Sequence, residues 1–167
     1  MTTAASSIAA SRPFTLSTWL RTGAAVALSD GLFACATAVF VPPIQTPLRL
    51  FQGVATVAFG KEMLQGGVPT GAVGILMHFT VAMFWSGVFL LALTIWPELR
   101  HSVQSWPRAM AIAAVYGVSI WLTMTWIVIP ALLHRPPTIG LKYVVQLIGH
   151  IPFVAMPMIL VNRRTTA

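Results

Sequence analysis

Three ionisable side chains lie inside long apolar stretches of the sequence: Asp30, His78 and His150. An ionised carboxylate near the centre of a membrane helix costs about 2.5–3.5 kcal/mol, so Asp30 needs either a proton or a partner. Gln146 precedes His150 by one helical turn and shares its helical face. Because histidine titrates near neutral pH and protonation depends on burial, we predict an intramembrane cluster of Asp30, His78, Gln146 and His150, in which Asp30, His78 and His150 accept protons.

The same residues also allow a purely structural interpretation. Asp30 would be protonated, or hydrogen-bonded to a Thr or Tyr of a neighbouring helix, and both histidines would be neutral. Pro152 and Pro157 each remove a backbone donor and free a carbonyl, such as that of Ile148, to which a histidine could donate. These prolines also predict a kink just beyond His150.

A sharper hypothesis makes His78 and His150 the axial ligands of a b-type haem. Neutral imidazole suits iron, and Gly74 and Gly149 would leave room for a macrocycle between two helices that run in the same direction. Such a protein would show a visible absorption band that disappears when either histidine is replaced.

Other catalytic or metal-binding arrangements are missing from the sequence. The remaining acids, Glu62 and Glu98, lie between apolar segments, so no pair of carboxylates is available for acid–base chemistry or for a divalent metal. The sequence has no glycine-rich phosphate loop, no CxxC and no HExxH, and Cys35 is its single cysteine. We therefore expect no enzymatic activity, no metal site and no cofactor apart from the alternative haem.

The composition indicates a membrane protein. Hydrophobic residues make up 57% of the chain and charged residues 8%, whereas soluble proteins average about 25% charged residues. The net charge of +7 comes from Lys and Arg that flank apolar runs and do not cluster on one surface. This pattern is typical of contact with a lipid bilayer and argues against nucleic-acid binding.

Four apolar segments reach the roughly 20 residues that a membrane-spanning helix needs: 22–41, 71–96, 109–133 and 139–161. We predict an all-α, transmembrane four-helix bundle over residues 22–164, with both termini on one side. Six basic residues fall on the side of the termini and four on the other: Arg12, Arg21, Arg100, Arg108, Arg163 and Arg164 against Arg49, Lys61, Arg135 and Lys142. This bias favours cytoplasmic termini.

Two segments outside the spans have a character of their own. Residues 1–21 are predicted to form an N-terminal tail with a short interfacial segment around Phe14, Leu16, Trp19 and Leu20. The first connection, 43–70, is too long for a hairpin turn and too apolar for a solvated loop. We predict that it contains an interfacial or re-entrant helix.

Small residues recur at helical spacing in the first two spans. Membrane helices associate where small side chains let their backbones approach, so these stripes predict contact faces. The stripes are Gly23, Ala27, Gly31, Ala34 and Ala38 in the first span, and Gly71, Gly74, Ala82 and Ser86 in the second. Asp30 and His78 lie on or beside them and are therefore expected to face protein.

Several short runs resemble a family of small, uncharacterised bacterial inner-membrane proteins with four predicted spans, distantly similar to the YagU group. The runs are LFQGVA at 50–55, QGG at 65–67, GAVGILMHF at 71–79, YG at 116–117, VIP at 128–130 and GH at 149–150. The resemblance implies a bacterial inner membrane and an association with acid resistance. It implies that the two histidines are family features, and it assigns no catalytic residue.

The sequence thus predicts a polytopic integral membrane protein without fixing its function. The leading hypothesis is a non-enzymatic subunit, in a homo-oligomer or a larger membrane complex, or a pH- or stress-related factor that acts through the Asp/His cluster. A small oligomeric channel or transporter is the other alternative. Its polar path would run through Lys142, Gln146, His150, His78 and Asp30, but few polar residues continue it beyond Asp30.

Overall fold

A computed structural model describes residues 14–134 and 136–163, and this part of the chain is helical without β-strands. Its long helices are α1 (Leu16–Phe40), α3 (Gly67–Ile95), α5 (Trp106–Leu133) and α6 (Leu141–Asn162). Two shorter helices, α2 (Pro47–Phe59) and α4 (Pro97–Ser102), lie in the connections, and a 3₁₀ turn at Lys61–Gln65 follows α2. The four long helices are long and apolar enough to cross a bilayer, so the chain is a multi-pass membrane protein.

Local sequence signals explain where the helices begin. The hydroxyl oxygens of Thr15 and Thr46 accept hydrogen bonds from backbone amides in the first turns of α1 and α2. Pro47 and Pro97 stand at the starts of α2 and α4, where a missing amide donor costs least. These two prolines thus mark helix starts.

The first helix differs from its prediction at one end. It begins at Leu16 rather than at Thr22, because Thr15 caps it and the indole of Trp19 donates a 2.8 Å hydrogen bond to the carbonyl of Met83 in α3. The segment predicted as a separate interfacial turn, including Leu20, therefore belongs mostly to the first two turns of α1. Residues 1–13 of the predicted tail lie outside the described residues.

The four long helices form an antiparallel bundle in which α1 packs against α3 and α6, and α5 packs against α6. We call the end near α2 the α2 end and the opposite end, near α4, the α4 end. Backbones approach closely at glycines: a Cβ on Gly117 would lie 2.6 Å from the carbonyl oxygen of His150, and one on Gly74 would clash with the backbone of Phe51. Members of both small-residue stripes, among them Ala27 and Ala82, are buried at these contacts.

Two of the long helices contain π-helical segments, Met124–Val128 in α5 and Ile151–Ala155 in α6. The second begins immediately after His150, where the sequence predicts a kink. There the amide of Ile151 donates to the carbonyl of Ile148, which Pro152 leaves without its usual partner. The helix geometry is thus irregular beside a candidate functional residue.

The first connection contains α2, which packs against the first three turns of α3. The side-chain amide of Gln52 donates to the carbonyl of Gly67 and the hydroxyl of Thr70, at 3.0 and 3.2 Å. A guanidinium nitrogen of Arg49 donates to the carbonyl of Leu64 at 2.8 Å. A helix in this connection is therefore confirmed, and its interfacial or re-entrant placement stays a prediction.

The tightest packing lies toward the α4 end. Leu90, Met158 and Ile159 are 0% exposed there, and Phe89 and Leu93 are nearly as well buried. These side chains form one cluster that joins α3 and α6. This cluster, the apolar plug, fills the bundle interior beyond the level of Ala82 and Val154.

Candidate functional site

One cavity brings together the side chains predicted to form the Asp/His cluster. Asp30 comes from the middle of α1, His78 from α3, and Gln146 and His150 from α6, and all of them line a cavity of about 230 Å³. The cavity lies between the apolar plug and the α2 end. The proton-accepting role of these residues stays a prediction, but their proximity is a feature of the structure.

The imidazole of His78 faces a different partner with each nitrogen. Its Nε2 lies 3.0 Å from the carbonyl oxygen of Ala27, and its Nδ1 lies 3.9 Å from Oδ2 of Asp30. A carbonyl oxygen can only accept, so Nε2 carries a hydrogen and donates it. In a neutral imidazole Nδ1 then has a bare lone pair, which faces the carboxyl group of Asp30.

This geometry has a consequence for protonation. A bare Nδ1 and an ionised carboxylate are both acceptors, and they face each other in a site where His78 is only 15% and Asp30 only 19% exposed. One added proton makes the contact attractive, either as an imidazolium–carboxylate pair or as a carboxylic acid beside a neutral imidazole. The Asp30–His78 pair is therefore arranged to hold one proton.

The second histidine is oriented by its own helix. Nδ1 of His150 lies 2.8 Å from the carbonyl oxygen of Gln146 and donates to it, which leaves Nε2 as an acceptor. The ring packs against the indole of Trp121, with 4.8 Å between ring centroids. His150 thus adds a further proton-accepting nitrogen to the cavity region.

The structural interpretation expects the histidines to donate to carbonyls that the prolines free. The carbonyls that accept from them in the structure are different ones. They belong to Ala27 and Gln146, because His78 reaches across to α1 and His150 bonds within its own turn. Nor does a Thr or Tyr of the described chain donate to Asp30; the hydroxyl of Tyr116 donates to the carbonyl of Trp85 at 2.8 Å.

The haem alternative finds no support in this geometry. Nε2 of His78 donates to the carbonyl of Ala27, and the nitrogen that keeps a lone pair, Nδ1, faces the carboxyl group of Asp30 at 3.9 Å. A bis-histidine haem needs a nitrogen of each histidine directed at the iron, and Nδ1 of His78 is directed at Asp30 instead. Sites other than haem are a separate question: in the described ranges, no group of three or more His, Cys, Asp and Glu side chains could hold a metal ion.

A second cavity, which we call the vestibule, lies on the α2 side of the first. It has a volume of about 450 Å³ and shares Trp121, Ile129 and Gln146 with the inner cavity. Lys142 lines it and donates from Nζ to the carbonyl of Pro43 at 2.7 Å. The shared walls mean that only a few side chains separate the Asp/His cluster from the α2 end.

Toward the α4 end, buried apolar side chains close the inner cavity. Val26, Ala82 and Val154 line the inner cavity and are themselves at most 5% exposed. The apolar plug continues from them toward the α4 end. The channel alternative, which needs a polar path through the whole bundle, therefore finds no support within a single chain.

Several side chains of the site were not predicted from the sequence. α2 contributes Leu50, Val54 and Val57 to the inner cavity, and α5 contributes Trp121 and Met124. Apolar and aromatic side chains are common in any membrane helix, so the sequence has no signal that singles these out. Their position depends on how α2 packs against α3 and how α5 packs against α6.

Comparison with known proteins leaves the fold and the site to be interpreted from their own geometry. No family model, no curated protein and no solved structure gives a significant match to the chain. The resemblance to the YagU-like family accordingly stays a prediction.

Proposed function

We propose that this protein is a non-enzymatic bacterial inner-membrane protein that binds and releases a proton at the Asp30–His78 pair. The observation that carries the proposal is the orientation of His78. Its Nε2 donates to the carbonyl of Ala27. Its Nδ1 and the Asp30 carboxyl group, 3.9 Å apart, are therefore both acceptors, and one added proton makes their contact attractive. An ionisable residue in a membrane interior is by default a candidate functional site, and here Asp30 and His78 are each other's partner.

The pair has one further titratable neighbour on the cavity wall. His150 of α6 lines the same cavity, and α5 and α2 contribute only uncharged side chains such as Trp121 and Val54. Lys142 lies one level further out, in the vestibule. Proton binding should therefore depend mainly on three groups: Asp30, His78 and His150.

The two cavities favour exchange of the proton with one side of the membrane. A proton would pass from the α2 end through the vestibule and past Gln146 to His150 and the pair. The apolar plug would block its onward passage. If the termini are cytoplasmic, as the basic residues favour, the protein would respond to the pH on the opposite side.

A change of charge in the cavity could reach other parts of the bundle. The ring of Phe51 in α2 lies 6.0 Å from the ring of His78, and His150 lies directly before the π-helical segment Ile151–Ala155. α2 and the π-helical segment thus each border a histidine whose protonation would change. We propose that they transmit the protonation state to a partner, either another copy of the chain or a larger membrane complex.

The carboxyl group of Asp30 can be observed directly, because it is the only aspartate in the chain. We would label the protein with [4-¹³C]aspartate, reconstitute it in lipid nanodiscs, and follow the single carboxyl resonance between pH 4 and 9. The proposal predicts a titration whose midpoint moves in His78→Gln and stays unchanged in His101→Gln, an exposed histidine of α4.

Two results would count against the proposal. A carboxyl resonance that does not change over the whole range would show that Asp30 exchanges no proton there. A midpoint that is the same in wild type and His78→Gln would show that the two side chains do not share one. The Asp30→Asn variant, which must lack the resonance, serves as the assignment control.

A further inference from the structure

The inner cavity has polar groups of both kinds: the indole N–H groups of Trp85 and Trp121 are buried donors without a partner among the described residues, and its titratable side chains present acceptors. Within residues 14–134 and 136–163, no hydrogen bond reaches the carboxyl oxygens of Asp30 or the Nε2 atom of His150. Nδ1 of His78 is a third acceptor once Nε2 has donated to Ala27. A ligand that satisfies these atoms must bring a hydrogen-bond donor or a positive charge.

The rest of the wall is apolar and partly aromatic. Phe33, Trp85 and Trp121 line the cavity together with aliphatic side chains. Aromatic faces attract organic cations, by about 0.5–2 kcal/mol for each favourable contact. The volume of about 230 Å³ also exceeds the roughly 150 Å³ of an engineered protein cavity that binds benzene. A molecule with one aromatic ring and a small charged group would fit.

We propose that the inner cavity binds a small lipophilic organic cation in exchange for the proton held by the Asp30–His78 pair. The inference rests on the proposed function, because it uses the same proton. With the proton bound, the pair carries no net charge; when the cation enters, the proton leaves to solution and the site is again neutral. This one-for-one exchange avoids an uncompensated charge in the membrane interior.

The vestibule is the proposed route of entry, and Lys142 lines it. Lys142 keeps its positive charge and opposes the entry of a cation, but its Nζ is held at the carbonyl of Pro43, 2.7 Å away, and Lys142 does not line the inner cavity. No other Lys or Arg lines the vestibule or the inner cavity in the described part of the chain. Asp30 is the only acid on either wall in that part, so it is the anchor of the bound cation.

Benzyltrimethylammonium is a suitable probe, since it has one ring, a permanent charge and no proton to lose. We would measure its binding to the detergent-purified full chain by isothermal titration calorimetry at several pH values. Below the midpoint of the Asp30 titration, the Kd of the probe should increase about tenfold for each unit by which the pH falls, because one proton competes with one cation. The uncharged isostere neopentylbenzene should bind more weakly and without this pH dependence.

Matched variants locate the site. Asp30→Asn should weaken binding at least tenfold, and Glu98→Gln, which changes an exposed acid of α4, should leave it unchanged. Ala34→Leu keeps Asp30 but fills part of the cavity that Ala34 lines, and it should also abolish binding. The elution volume of each variant in gel filtration shows whether it remains folded.

The outcomes separate this inference from the proposed function. If Asp30 titrates but the probe does not bind, the cation site is refuted and proton binding stands. Equal binding by wild type and Asp30→Asn, or binding without pH dependence while Asp30 titrates, refutes the exchange. If Asp30 does not titrate at all, the proposed function fails and the exchange fails with it.

Discussion

The α2-end half and the α4-end half of the bundle are built in different ways. Toward the α4 end, large side chains such as Phe89, Met158 and Ile159 are at most 2% exposed and belong to one packed cluster. Toward the α2 end, the same helices enclose the inner cavity and the vestibule, and the intramembrane Asp and His side chains lie there. The closely packed cluster and the candidate proton-binding side chains thus lie in opposite halves of the bundle.

The irregular backbone lies beside the cavities. Both π-helical segments, Met124–Val128 in α5 and Ile151–Ala155 in α6, contribute side chains to a cavity wall, whereas α1 and α3 are regular α-helix over their whole length. Lipid gives helices little hydrophobic reason to associate, so close packing is what holds them together. The α4 half supplies that packing, and the α2 half can therefore keep open space and polar groups.

Two methionines offer the strongest test of this contrast. Met158→Ala should lower the free energy of unfolding by about 2–5 kcal/mol, because it opens a void in the apolar plug. Met77→Ala removes the same side chain from the wall of an existing cavity and should cost about 1 kcal/mol or less. Unfolding by SDS in mixed micelles would measure both, and equal losses would contradict the division into two halves.

Two glycines test whether α2 is fixed to α3. Gly74→Ala should cost about 1–3 kcal/mol, because its Cβ would meet the backbone of Phe51, which cannot rotate away. Gly53→Ala, in the middle of α2 with nothing within 4 Å of its Cβ, should stabilise the helix by up to about 1 kcal/mol. The same SDS unfolding assay applies, and a stabilising Gly74→Ala would show that α2 is free to move.

Two alanines test the contrast in the opposite sense, by adding volume. Ala113→Leu inserts a larger side chain where Ala113 is 0% exposed and should cost about 1–3 kcal/mol. Ala34→Leu extends into the inner cavity and should be close to neutral in stability. Thermal unfolding in detergent distinguishes the two, and a large loss for Ala34→Leu would mean that the cavity cannot accept a ligand.

The smallest expected effect concerns the rim of the vestibule. Lys142→Met removes the hydrogen bond to the carbonyl of Pro43 and should cost about 0.5–1.5 kcal/mol. Lys61→Met, in the exposed 3₁₀ turn, is the matched control and should cost nothing measurable. Indistinguishable unfolding curves for the two variants would show that Lys142 does not hold the rim in place.

The sequence predicts the scaffold well because membrane-spanning helices depend on length and hydropathy alone. The spans, the small-residue contact faces at Gly74 and Ala82, and a helix in the first connection all follow from local patterns. The capping role of Thr15, which moves the start of α1 to Leu16, is a weaker signal that span prediction overlooks.

The site is predicted only in part, for a physical reason. Charge within apolar segments points to Asp30, His78 and His150, since burial of such groups is costly. The tautomer of His78, which depends on the carbonyl of Ala27, and the vestibule, which depends on how α5 meets α6, require the tertiary structure. No local pattern encodes contacts between distant helices.

One-sided access to the Asp/His cluster is the central claim, and cysteine accessibility tests it most directly. In a Cys35→Ser background, Gln146→Cys would place a thiol between the two cavities, and Ser86→Cys would place one in the buried α3 face toward the α4 end. A membrane-impermeant thiol reagent should modify Gln146→Cys in spheroplasts or in inverted vesicles, but not in both, and should leave Ser86→Cys unmodified. Modification of Gln146→Cys from both sides, or from neither, would contradict the account.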